Sequence, residues 1–275
     1  MNRANDDAPH VIFCADANYL PYVGVAACSL LLNNPGLKPV LHLITDQPFD
    51  AQNAQRFAQL EVAFDVSFHV YVITERDRAD LPEHHSKGHL TVATYLRLLI
   101  PRTLPETVNR VLYLDADMII DGDVAPLLAT NLDGFALAAC ADPVGQKLLG
   151  NPHYFNSGTM LINLRYWREY EIAKQALDLA SRKRLPLFDQ DALNAVIPRQ
   201  AVLALGMEYN YMIFHRLKAE FIPLLEAALR DISAPKILHY TGASKPWQAW
   251  YLAPERKKYL DYLRRSPWHD VPGVY

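Results

Sequence analysis

The sequence predicts an α/β protein with a mixed, mainly parallel central sheet and helices on both faces, and three observations carry that prediction. Short β-rich runs alternate with helical stretches through the first half of the chain, the order that parallel strands and crossover helices produce. An apolar run, RVLYL, ends directly in acidic residues, and ligand sites of open α/β sheets lie at the carboxyl ends of strands. The chain has 275 residues, 51% hydrophobic and 21% charged, which excludes a disordered, collagenous or coiled-coil protein.

The elements follow in order. Val11 to Ala15 reads as a first strand, and Gly24 to Leu32, rich in small residues and leucine, as a buried helix. Val40 to Ile44 is a second strand. Ala51 to Leu60 carries Ala54, Phe57 and Ala58 at helical spacing. Ser67 to Ile73 alternates, with Phe68, Val70 and Val72 on one face, as a half-buried strand does. Glu75 to Gly88 is a polar surface loop, and TVATYLRLLIPRTL a helix stopped near Pro101. The central strand Arg110 to Leu114 leads into Asp115-Ala116-Asp117, a second apolar run Met118 to Ile120, and the turn Asp121-Gly122-Asp123. Phe135 to Cys140 and Thr159 to Ile162 are further strands, Arg165 to Arg184 one long amphipathic helix, 188 to 197 another helix, and Lys236 to Tyr240 a last strand.

Charge and cysteine usage narrow the partners. The formal net charge is -3 and the pI about 6.4, so no global positive field exists to hold a nucleic acid. Cys14, Cys28 and Cys140 are odd in number and sit in apolar stretches, which suggests neither a disulfide framework nor zinc and fits a reducing cytoplasm. The first ten residues lack the build of a signal peptide, and the apolar run from Tyr19 to Leu32 is too short to span a bilayer.

Asp115 and Asp117 are the sharpest chemical signal. Two carboxylates one residue apart after a strand point the same way if the chain stays extended, and two such charges call for a hard divalent cation, which typically also holds phosphate oxygens. The alternative is that one caps the next segment and the other is solvated. His239 ends the last strand and is followed by a turn bearing Gly242 and Lys245, residue types suited to gripping a metal-bound diphosphate. A mixed Asp, Asp, His set favours Mn²⁺ over Mg²⁺. Near the N-terminus, Asp16, Asn18 and Tyr19 stand where a nucleotide base docks after a first strand, although Asp16 or Asn18 as a simple helix cap explains the same residues.

Six segments in this order, FCADANY, HLTVATYLRL, RVLYLDADMIIDGDVAPL, YFNSGTMLINL, FDQDALN and LHYTGASKPW, resemble glycosyltransferase family 8, the retaining nucleotide-sugar transferases that include bacterial lipopolysaccharide galactosyl- and glucosyltransferases. The resemblance runs from about residue 10 to 250. It implies a GT-A, Rossmann-like architecture with Mn²⁺, or alternatively Mg²⁺, held by Asp115, Asp117 and His239. It places Asp16, Asn18 and Tyr19 on uridine, Ala116 along the donor, and Gly242 and Lys245 on the diphosphate. Arg97, Asn156, Asp189 and Gln190 would surround the donor sugar, and His89 and the loop before it would fold over it. Ala17 departs from the pattern of the resemblance, which implies a second acidic residue there; the base contact then rests on Asp16.

The implied reaction moves galactose or glucose from a UDP-sugar to a glycan or glycolipid acceptor, such as lipopolysaccharide core. Gln190 falls on the face where a nucleophile would stand, but an amide is a poor nucleophile. Same-face attack is therefore expected, with Gln190 supporting an oxocarbenium ion and Asp189 orienting sugar hydroxyls. A non-catalytic nucleotide-sugar-binding protein with the same fold is the alternative. The reading divides the chain into a catalytic domain, 1–246, and an appendage, 247–275. Three of the four tryptophans lie in the appendage, and its aromatic residues do not read as core. Five basic and two acidic residues between Pro254 and Arg265 suit docking on an anionic membrane, the cytoplasmic face of the inner membrane by resemblance, with a helix packed on the domain as the other reading.

Overall fold

Burial decides which of the apolar runs sit at the centre. The computed structural model describes residues 8–82 and 92–271. Among these, seven strands form one sheet in the order β3 (Ser67–Val72), β2 (Val40–Thr45), β1 (His10–Ala15), β4 (Arg110–Leu114), β7 (Phe155–Asn163), β6 (Leu137–Ala141) and β8 (Val202–Ala204). Both pairings made by β7 are antiparallel and the others parallel. A smaller sheet orders β5 (Met118–Ile120), β10 (Ile237–Thr241) and β9 (Tyr211–Phe214). The α/β class and the mixed, mainly parallel sheet are as the alternation predicts.

Two hydrophobic clusters fill the two faces of the large sheet, giving the layered core that such a sheet requires. One joins helices Leu20–Asn33 and Ala51–Phe64 to the small sheet and the C-terminal helix Arg256–Arg265. The other joins the 3₁₀ segment Val92–Leu99 to helices Leu164–Glu169, Ile172–Arg182 and Phe188–Val196.

Four local expectations are corrected. Ser67–Val72 forms, but Val70 and Val72 are exposed, at 37% and 41%, because β3 is the edge strand and little covers its faces. Pro101 opens rather than stops a helix: it lies in the first turn of Ile100–Thr103, where its missing N–H costs nothing. The long helix from Arg165 breaks between Leu164–Glu169 and Ile172–Arg182, at Glu171 with φ 49°. Part of the polar loop is a helix, Glu75–Ala79, closed by a reciprocal capping box between Thr74 and Asp77. The rest of that loop, including His89, lies outside the described residues.

Among the described residues after Trp247, the aromatic side chains other than Trp250 and His269 are core residues, contrary to their sequence reading. Tyr251, Tyr259 and Trp268 are fully buried and Tyr262 nearly so. Trp268 reaches across to Gly24, where a Cβ would stand 2.2 Å from its ring, and its indole N–H donates to Asn53 Oδ1 at 2.9 Å. The run of small residues in the first helix therefore makes room for a side chain from the far end of the sequence. No helix among the described residues is long and apolar enough to cross a membrane.

Where β1, β2 and β3 lie side by side, His42 is stacked between His10 and His69, with ring centroids 5.1 and 5.5 Å away. Its ring nitrogens meet His10 Nδ1 at 2.9 Å and the Tyr71 hydroxyl at 3.2 Å. Burial, and then the two neighbouring imidazoles, push its pKa from 6.5 down to about 3. The unfolded chain therefore takes up this proton near pH 6.5 and the folded chain does not until about pH 3, so stability is lost as pH falls through that window. The full loss is worth about 4–5 kcal/mol. Denaturation midpoints measured from pH 7 to 4 are expected to fall more steeply for the natural chain than for His42→Leu.

Candidate active site

The central strand delivers the acidic pair. After β4 the chain turns at Ala116–Asp117 instead of staying extended, yet Asp115 and Asp117 still converge, because β10 brings His239 between them. His239 Nε2 is 3.4 Å from Asp117 Oδ1 and 3.8 Å from Asp115 Oδ2, and ligand atoms of the three residues lie within 4.8 Å of one another. Two carboxylates and one imidazole match the donor preference of Mn²⁺ and related divalent ions.

Gly158 makes this convergence possible. It lies in β7, where its carbonyl accepts from the Asp115 N–H at 2.9 Å, and a Cβ there would meet His239 Cε1 at 2.5 Å and Asp115 Oδ2 at 2.9 Å. The three donors thus occupy a cradle that a side chain at 158 would fill, and they fit a divalent cation by both chemistry and space.

Buried polar groups fix each member. Arg97, only 8% exposed, places Nη2 3.0 Å from Asp115 Oδ1 and Nε 3.0 Å from Asp189 Oδ2. It also donates Nη1 to the Ser157 carbonyl at 2.9 Å and lies 4.6 Å over the Tyr113 ring. The Tyr113 hydroxyl donates to Asp115 at 2.5 Å. Burial pushes the Asp189 carboxyl up from 3.8 to about 6, against the pull of Arg97 and with a further push from Asp115. For Asp117 burial also acts upward, but the Lys245 ammonium, which donates to it, and His239 outweigh that and hold its carboxyl well below the usual range. Lys245, read as a diphosphate ligand, also donates to the Tyr240 carbonyl at 3.0 Å.

A hydrogen-bonded chain links the candidate metal ligand to Gln190. His239 Nδ1 meets Asn210 Oδ1 at 2.8 Å, and Asn210 Nδ2 donates to Asn156 Oδ1 at 2.8 Å. Asn156 Nδ2 then donates to Asp142 Oδ2 at 3.2 Å, which also accepts from Gln190 Nε2 at 2.9 Å. Gln190 Oε1 accepts from the Ser157 N–H at 3.0 Å. Its amide orientation is thereby fixed from both ends, and the imidazole is turned with Nε2 toward the carboxylates.

These residues surround one cleft of about 390 Å³. Of the residues singled out in the sequence, Asp16, Tyr19, Arg97, Asp115, Ala116, Asp117, Asn156, Asp189, Gln190, His239, Gly242 and Lys245 line it. Asn18 does not; it is exposed, and its N–H donates to Asp16 Oδ1 at 3.0 Å, so Asp16 caps the short 3₁₀ turn Ala17–Tyr19 while facing the cleft. Phe214, the last residue of β9, also lines the cleft. Asp142, Ser157, Gly158 and Asn210 went unrecognised as site residues. Only Gly158 carried a local signal, a glycine inside a strand, which marks a close approach; the other three acquire meaning through partners far away in sequence.

Comparison with known proteins identifies the family and the fold. The model of "Glycosyl transferase family 8" matches residues 10–251. A lipopolysaccharide 1,2-glucosyltransferase of Escherichia coli (strain K12) is 32% identical, over 98% of this chain and 81% of that protein. A lipopolysaccharide 1,3-galactosyltransferase of Salmonella typhimurium is 29% identical, over 97% of this chain and 81% of that protein. The crystal structure of the galactosyltransferase LgtC with donor and acceptor sugar analogs superposes with a TM-score of 0.77 at 22% identity, covering 94% of this chain and 96% of that one. That last likeness concerns the fold.

Proposed function

We propose, from the premise that this chain belongs to glycosyltransferase family 8, that it transfers galactose or glucose from a UDP-sugar to a glycan of the lipopolysaccharide core, with retention at the anomeric carbon. The observation that carries the reading is the Asp115, Asp117 and His239 set, gathered in a cleft that also holds Lys245 and Gln190. Mn²⁺ bound there would supply Lewis-acid stabilisation to the departing diphosphate.

The chain's own residues do the rest. Asp16 and Tyr19 hold the base, and Gly242 and Lys245 the diphosphate. Arg97 keeps Asp115 and Asp189 in register, so Asp189 meets the sugar hydroxyls at a fixed position. The bond from the anomeric carbon to the UDP oxygen breaks as that from the acceptor oxygen forms on the same face. The acceptor proton passes to the leaving phosphate oxygen, and UDP departs. Gln190, held by Ser157 and Asp142, presents its amide dipole to the positive charge that develops on the sugar.

The test is transfer of labelled hexose from UDP-galactose or UDP-glucose to a lipopolysaccharide core oligosaccharide, with the anomeric configuration read by NMR. An α product from one donor is expected, with turnover by Gln190→Ala lower by about 10²-fold. An inverted product, or undiminished turnover in the variant, contradicts the assigned mechanism.

A further inference from the structure

Trp250 lies outside the cleft and is half open to solvent, at 50% exposure. Its neighbour Tyr251 is fully buried and already fills the core position beside His215, with ring centroids 4.7 Å apart. The core therefore does not call for Trp250. The ring is held in place: His215 meets it edge-on at 5.8 Å, and the Arg216 guanidinium lies 5.9 Å from its centroid.

Both segments that build this patch leave from the cleft wall. Phe214 lines the cleft and is followed directly by His215 and Arg216. Lys245 lines it as well and begins a turn in which the Gln248 N–H donates to the Lys245 carbonyl and the Tyr251 N–H to the Gln248 carbonyl, both at 3.0 Å. Trp250 thus stands five residues along the chain from Lys245, against the two residues that follow Phe214.

We infer that Trp250, flanked by Arg216 and His215, is a platform for a pyranose ring of the acceptor, one residue or more beyond the sugar that is extended. The inference rests on the glycosyltransferase reading and names a subsite for its acceptor. A pyranose presents a patch of C–H groups on one face, which packs on an indole, while its hydroxyls project at the rim. The two flanking side chains supply hydrogen-bonding groups at that rim, and the guanidinium, always charged, suits an anionic substituent on the acceptor. Both chain segments that form the patch continue from residues that line the cleft, where an acceptor must enter, and this favours a glycan over a lipid surface.

The test compares the natural chain with Trp250→Ala and Trp250→Phe, using lipid-free lipopolysaccharide core oligosaccharide as the probe. For Trp250→Ala the KM for the oligosaccharide is expected to rise about tenfold, the scale of one lost aromatic stacking partner. The KM for the UDP-hexose and the slow UDP release without acceptor stay as they were, and Trp250→Phe recovers most of the loss. Calorimetric binding of the oligosaccharide, which needs no turnover, is expected to weaken in parallel. An unchanged KM and unchanged binding overturn the inference, as does a loss confined to binding of phosphatidylglycerol vesicles, which would make the patch a membrane contact. A natural chain that turns over no donor but binds the oligosaccharide through Trp250 would refute the transferase reading and leave the platform standing.

Discussion

Replacing Gly158 with alanine is expected to lower kcat/KM for the UDP-hexose by about 10²-fold, the cost of displacing a reacting group by roughly an ångström. The new methyl group would stand 2.5 Å from His239 Cε1 and 2.9 Å from Asp115 Oδ2, so one or both must yield. Neither has slack. His239 is tied to Asn210 at 2.8 Å, and Asp115 is held by Arg97 and Tyr113. The atoms crowded by the methyl are side-chain atoms, so the strand itself persists, and overpacking costs about 1–3 kcal/mol. Paramagnetic titration with Mn²⁺ is expected to show weakened binding in a variant that still unfolds cooperatively. Full affinity and full activity in Gly158→Ala would mean that the three donors are not the operative set.

Arg97→Met is expected to destabilise the protein by about 3–5 kcal/mol, because it leaves the carboxylates of Asp115 and Asp189 without their shared counter-charge. Asp189 is only 4% exposed and its pKa is already pushed up to about 6 with the guanidinium present. Without Arg97 it rises further. The folded state then binds this proton more tightly than the unfolded chain, whose value is near 3.8, so the variant regains stability as pH falls from above its raised value toward 3.8. Urea unfolding at pH 8 and pH 5 is expected to show a larger deficit at pH 8. A deficit that does not change with pH would place the cost in lost packing against Tyr113. Arg97→Lys is not expected to rescue, since one ammonium cannot span Asp115, Asp189 and Ser157 together.

Sequence patterning reached some parts of the molecule and missed others for identifiable reasons. The run Arg110–Leu114 is a strand as read, and the apolar run Met118–Ile120 forms another, because continuous apolar sequence bounded by acidic turns leaves few alternatives. Ser67–Val72 is a strand whose burial was misjudged, since alternation does not reveal that a strand sits at an edge. The helix break at Glu171 lacks the glycine or proline that announces such breaks. Trp268 and Tyr259 were misread because an aromatic, basic stretch looks alike whether its rings face a bilayer or a partner helix; Gly24 decides between these only once the fold brings it to Trp268. Within the cleft, residues in ordered motifs were legible. Asn210 was not, since a lone asparagine in an irregular segment becomes a positioning residue only through His239 and Asn156.

The central claim is that the cleft turns over a UDP-sugar with the help of a divalent ion at Asp115, Asp117 and His239. It is tested most directly by following UDP release from purified protein with UDP-galactose and UDP-glucose, in Mn²⁺ or in EDTA, without acceptor. Slow release from one donor that stops on chelation, and is absent in Asp117→Asn, is the predicted result. Release indifferent to EDTA, or no release with either donor and no nucleotide-dependent thermal stabilisation, would contradict it.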